Sequence, residues 1–128
     1  MPARYEVDVE SGVVFAFYWG EVSDDEGRSI LTAMRRDPRI QSHFRTLVDC
    51  SEALTMGSGF GGTASLVDFY RSAGSGPRTV RVAFYAPRRN AVFGALRQFQ
   101  MMAGGDEGPI RVFTDLAEAR AWVGLPQE

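Results

Sequence analysis

Apolar, β-rich runs alternate with capped helical segments along this 128-residue chain, and that alternation restricts the fold more than any other feature. It opens with two strands in succession. "RYEVDVE" alternates polar and apolar residues, Ser11 and Gly12 turn the chain, and "VVFAFYW" follows, so the first elements read as a β-hairpin ended by Gly20. Ser23 and Glu26 then have the spacing of a capping box, in which each side chain takes up a free backbone N–H of the other. Asp24 and Asp25 fall in the first turn of that helix and Arg35 and Arg36 in the last, both favourable to its dipole. Ile30, Leu31 and Met34 supply its apolar stripe, and Pro38 stops it.

The pattern then repeats. "RTLVDC" suits a short buried strand, and a glycine-rich loop leads into a helix whose Leu66, Val67 and Tyr70 share a face. "RTVRVAFYA" is a strong strand closed by Pro87. "NAVFGALRQFQMMAGG" carries an asparagine cap, an inward face of Val92, Leu96, Phe99 and Ala103, and a double-glycine stop. "IRVFT" is a last strand. Asp115 with Glu118 caps a final helix, whose Leu116, Ala119, Trp122 and Val123 are expected to pack inward before Gly124. The order β-β-α-β-α-β-α-β-α predicts one α/β domain over residues 1–128. Its single mixed sheet has an opening antiparallel hairpin, then parallel strands joined by right-handed crossovers, with four helices.

Composition agrees with a folded domain that has its own core: 45% of residues are hydrophobic and 12% aromatic. A net charge of −2 gives no basic surplus and points away from nucleic acid as a partner. The single cysteine, Cys50, rules out an internal disulfide and fits a reducing compartment. The first residues lack the apolar core of a signal peptide, and no apolar run approaches the roughly 20 residues that span a bilayer. The expectation is a cytoplasmic domain without a membrane span.

"WGEVSDDE" after the hairpin, the strands "TLVDCS" and "VRVAFYAP", and above all "IRVFTDLAEARAWVG" resemble the STAS fold of sulfate transporters and anti-sigma-factor antagonists. The likeness is greatest to its SpoIIAA-like branch of stand-alone bacterial domains. It implies a non-enzymatic regulatory or protein-interaction module. Antagonists of this type carry a phosphorylatable serine in a loop like D-S-S-G-L-G. Met56-Gly57-Ser58-Gly59-Phe60-Gly61 occupies the corresponding place, so the resemblance makes Ser58 the phosphorylation candidate. Met56 stands where the family has aspartate, and Gly57 where it has the first serine. Some members of the branch have been likened to lipid carriers of the CRAL-TRIO type. That implies a second role, as carrier or sensor of a lipid-like or small anionic ligand held between helices and sheet.

Gly57, Gly59 and Gly62 also satisfy G-x-G-x-x-G, but several residues separate them from "TLVDC" and no acidic residue follows at the spacing a dinucleotide needs. Three readings of the loop remain. It can hold an anion at a helix N-terminus, it can carry about −1.5 to −2 charge as phosphoserine, or it is a tight turn in which Ser58 caps the helix.

Ligands of α/β sheets favour the carboxyl ends of parallel strands. That rule groups Asp49, Cys50 and Ser51 with Gly57, Ser58, Gly59 and Phe60, and with Arg88, Arg89 and Asn90, while Thr114 stands at one edge. The two arginines suit an anionic head group or a phosphoserine, or else form a solvated turn. Catalytic sets do not emerge. His43 is the single histidine, Asp49 and Glu52 lack acid–base spacing, and one histidine with one cysteine makes no zinc site. No cofactor, metal or enzymatic activity is expected. Phe15, Phe17, Tyr18 and Trp19 read as core on both faces of one strand. Phe93, Met101 and Met102 suggest a homodimer surface or an apolar ligand mouth.

Overall fold

A computed structural model describes residues 3–41, 43–56, 81–89, 92–102 and 110–126. Five strands form one sheet in sequential order: β1 (Ala3–Asp8), β2 (Val13–Val22), β3 (Arg45–Met56), β4 (Arg81–Tyr85) and β5 (Ile110–Phe113). β1 and β2 are antiparallel, and every later pair is parallel. Three helices occur among the described residues: α1 (Asp24–Arg36), α2 (Phe93–Met102) and α3 (Leu116–Trp122). The α/β class and the mixed sheet are as expected. The helix expected around Leu66, Val67 and Tyr70 lies outside the described residues, as do Ala103 and the Asn90 cap.

The hairpin turn is built by Asp8, whose Oδ1 accepts from the backbone N–H groups of Glu10 and Ser11 at 3.2 and 3.4 Å. Gly12 closes it at φ 71°, a left-handed conformation that favours glycine. The turn fixes the register Ala3↔Tyr18 to Asp8↔Val13, and so places Arg4 opposite Phe17.

Three strand ends differ from the sequence reading. β1 ends at Asp8, and Val9 and Glu10, read as strand, lie in the turn. Gly20 does not end β2: it adopts φ 65° beside a register shift, and the strand runs on to Val22. β3 does not stop at Cys50 but continues to Met56. Phe17 pairs with Asp49 and Trp19 with Glu52, Gly20 with Ala53 and Glu21 with Thr55. At each step β3 carries one residue more than β2, and these bulges let a polar, glycine-bordered segment stay paired. The gap expected between this strand and Gly57 is therefore filled by strand.

α1 begins as predicted. Ser23 Oγ accepts from Glu26 N at 3.1 Å, and Glu26 Oε1 accepts from Ser23 N at 3.0 Å, which holds the Glu26 carboxyl below its usual range. Ile30 and Met34 are buried, together with Gly27, whereas Leu31 is only half-buried at the margin of the stripe. At the C-terminus, Asp37 accepts from Arg39 Nη2 at 2.7 Å, Arg39 Nε at 3.0 Å and Tyr5 Oη at 2.8 Å. The Arg39 hydrogen bond holds this carboxyl well below the ordinary carboxylate range, despite its burial. The latch ties α1 to β1.

Most of the core lies on the sheet face beneath α1 and α2. Val14, Ala16, Tyr18, Val48, Cys50 and Phe84 meet Ile30, Met34, Leu96 and Phe99 there. The rings of Phe84 and Phe99 pack edge to face, 5.6 Å apart. Gln100, also buried, accepts from Val112 N at 2.8 Å and so occupies a backbone group on the outer side of edge strand β5.

The opposite face is covered by α3 toward the amino ends of the parallel strands. Val13, Leu47 and Ala83 lie beneath Ala119, Val123 and Leu125. Asp115 caps the helix by accepting from Ala117 N at 2.8 Å. Leu116 does not pack inward: it is 40% exposed, and Leu125 takes the apolar place. The reason is the helix end. Gly124 at φ 83° lets its N–H bond Ala121 O while Leu125 N reaches Arg120 O, a Schellman arrangement that folds Leu125 back onto the sheet.

Candidate functional site over β2 and β3

α3 leaves the other half of its sheet face to a different set of side chains. Beyond the cover, β2 presents Phe17 and Trp19, the odd-numbered residues that alternate away from Ala16 and Tyr18 in the main core. From β1 comes Arg4, whose guanidinium carbon stands 4.6 Å from the centre of the Phe17 ring and whose Nη1 donates to Glu6 Oε1 at 3.1 Å. β3 brings Asp49, Ser51 and Glu52. Together with Tyr18, these residues line a cleft of about 280 Å³, open to solvent.

The bulge in β3 shapes this lining. An extra residue between Asp49 and Glu52 breaks the ladder, and Asp49 Oδ1 accepts from Ser51 N at 2.9 Å, supplying the acceptor that the irregular backbone lacks. Asp49 thus has a structural task as well as a charge. Glu52 is exposed and in register with Trp19, and no ion pair involving it is seen among the described residues. Trp19 is 38% exposed, the one tryptophan open to this degree.

The sequence-derived candidates divide. Asp49 and Ser51 come together in the cleft. Cys50, between them, points to the opposite side: it is fully buried, and burial, with Asp49 adding to it, pushes its thiol far up, so no thiolate nucleophile forms here. Arg88 and Arg89 are exposed in the turn after Pro87 and do not line the cleft, which accords with a solvated turn. Thr114 is likewise exposed at the end of β5. Gly57, Ser58, Gly59, Phe60 and Asn90 lie outside the described residues. Met101 is 61% exposed, whereas Met102 packs against the main core, so the two methionines do separate by face.

Arg4, Phe17, Trp19 and Glu52 were not legible as a site. Phe17 and Trp19 were assigned to the core because a strand between helices needs apolar residues on both faces. A two-residue turn at Ser11 and Gly12 would pair Arg4 with Trp19; the longer turn over residues 9–12 pairs it with Phe17 instead.

Among the described residues, no group of three or more His, Cys, Asp or Glu side chains is placed to hold a metal ion, and no helix is long and apolar enough to cross a membrane. No protein-family model matches the chain, and no curated protein matches it.

Proposed function

We propose that this chain is a STAS-like, non-enzymatic interaction module whose contact surface is the cleft over β2 and β3. The observation that carries the reading is the cleft itself: an open recess lined by aromatic and polar side chains, on the part of the sheet face that α3 leaves uncovered. The sequential sheet with its antiparallel edge strand supports the STAS likeness on which the regulatory part of the reading depends. Ser58 follows Met56, the last described residue of the strand that builds one wall of the cleft, by two positions in the sequence. A phosphate on it would add about −1.5 to −2 charge and so alter what docks.

Native mass spectrometry of the protein purified gently from its host tests this reading. A retained protein partner is expected, with an added mass of about 80 Da on Ser58 if the switch operates. A non-covalent mass of several hundred daltons would instead make the domain a carrier. A bare monomer or homodimer under all conditions would overturn the interaction reading.

A further inference from the structure

Three guanidinium–ring contacts on one sheet face point to what the cleft takes. Arg4 lies 4.6 Å from the Phe17 centroid, and Arg81 and Arg111 lie 5.1 and 5.5 Å from that of Trp122. Trp19 stands two residues beyond Phe17 on the same face, and its ring has no such cation among the described residues. The register explains this: Arg4, the cation of β1, pairs with Phe17 and not with Trp19. On the other flank, Trp19 is in register with the exposed Glu52, and Asp49 lines the same recess. Arg4 is already paired with Glu6. The lining of the recess thus holds two carboxylates, Asp49 and Glu52, against one guanidinium, and no ion pair to either carboxylate is seen among the described residues.

From these contacts we infer that the cleft accepts an arginine side chain of a partner protein, its guanidinium stacked on Trp19 and paired with Glu52. The chemistry is specific. A planar guanidinium offers both a face for the indole and a donor edge for a carboxylate, whereas an ammonium offers only a point charge. The recess of about 280 Å³ has room for such a side chain. This inference rests on the interaction reading, and it fails separately from it.

The probe is N-acetyl-arginine amide, with N-acetyl-citrulline amide as the uncharged isostere. The readout is the two indole N–H signals in a nitrogen–proton correlation spectrum, with Trp19→Phe identifying the Trp19 signal. The arginine amide is expected to shift the Trp19 signal saturably, with weak affinity on the order of millimolar, and to leave Trp122 in place. Citrulline should bind at least about 5-fold more weakly, and Glu52→Gln should weaken arginine about 3-fold. Raising the salt should weaken it further. Arg4→Ala should strengthen binding by about 3-fold, because it uncovers the Phe17 ring and removes a competing positive charge.

Equal shifts with arginine and citrulline, no shift at Trp19, or weaker binding in folded Arg4→Ala would each overturn the inference. If a protein partner is retained in native mass spectrometry without an arginine response, the cation specificity alone is lost. An arginine response with no retained protein would overturn the protein source and leave a free guanidinium compound.

Discussion

The two tryptophans of this chain share a sheet face and have opposite surroundings. Trp122 ends α3, half-buried against Phe113 at 5.7 Å, with Arg81 and Arg111 on its ring and Arg81 Nη1 donating to its backbone oxygen at 3.0 Å. Trp19 lies on β2 beyond the reach of α3, 38% exposed, with Glu52 in register beside it and no guanidinium on its ring among the described residues. At Trp122 the arginines come from the chain itself, and they meet both the ring and the carbonyl end of a short helix, where positive charge is favoured. Their effect is to fix α3 to the sheet. Near Trp19 the same elements, ring and charge, are left open on one side. The same contact chemistry serves structure in one half of the face and is available for recognition in the other.

The sharpest way to break this comparison is to truncate each ring in turn. Trp122→Ala should cost about 2–3 kcal/mol in urea unfolding, since it removes ring packing and the seat of two arginines. If Trp122→Ala proves no worse than an ordinary surface change, α3 is not held as described. Asp37→Ala should follow, at about 2 kcal/mol, because it leaves Tyr5 and Arg39 without their shared acceptor and loosens β1, the strand that carries Arg4. The Asp37 carboxyl is held well below its ordinary value of 3.8, so its contribution is present above that value. It is lost as pH falls through and below it, from about pH 5 downward. Acid unfolding of wild type and Asp37→Ala should therefore converge at low pH.

Arg81→Ala should cost about 1 kcal/mol or less, since the arginine is exposed and its contacts are screened by solvent. Trp19→Thr keeps a strand-favouring residue and should change stability least, by no more than about 1 kcal/mol, while removing partner binding. A loss as large as that of Trp122→Ala would mean that Trp19 belongs to the core and that the cleft is incidental.

Local signals gave most of the fold. The Ser23–Glu26 box depends on residues within a few positions and formed as read; Asp115 caps its helix through Ala117 N rather than in a box with Glu118, and the hairpin turn takes in Val9 and Glu10 as well as Ser11 and Gly12. The errors arose where distant pairing overrode local pattern. Ser51–Met56 looks like loop, yet it stays in the sheet because β2 continues alongside it through two bulges. Leu116 looks inward on a helical wheel, yet the Gly124 turn brings Leu125 into the position instead.

For the site, carboxyl-end reasoning found Asp49 and Ser51, both close in sequence to the strand end. It missed Arg4 and Trp19 because their role depends on how far α3 covers the sheet, a quantity set by the length of a helix a hundred residues away. Arg88 and Arg89 are at the expected edge in sequence but turn to solvent.

The most direct test of the claim that the Trp19 cleft is the contact surface is site-specific photocrosslinking in the host cell. A benzophenone amino acid is placed at position 4, which lines the cleft, in one variant and at the exposed position 116 on α3 in another. A discrete adduct with one partner from position 4, absent from position 116, is the predicted result. Adducts from position 116 alone, or the same partner from both positions with equal yield, would contradict it.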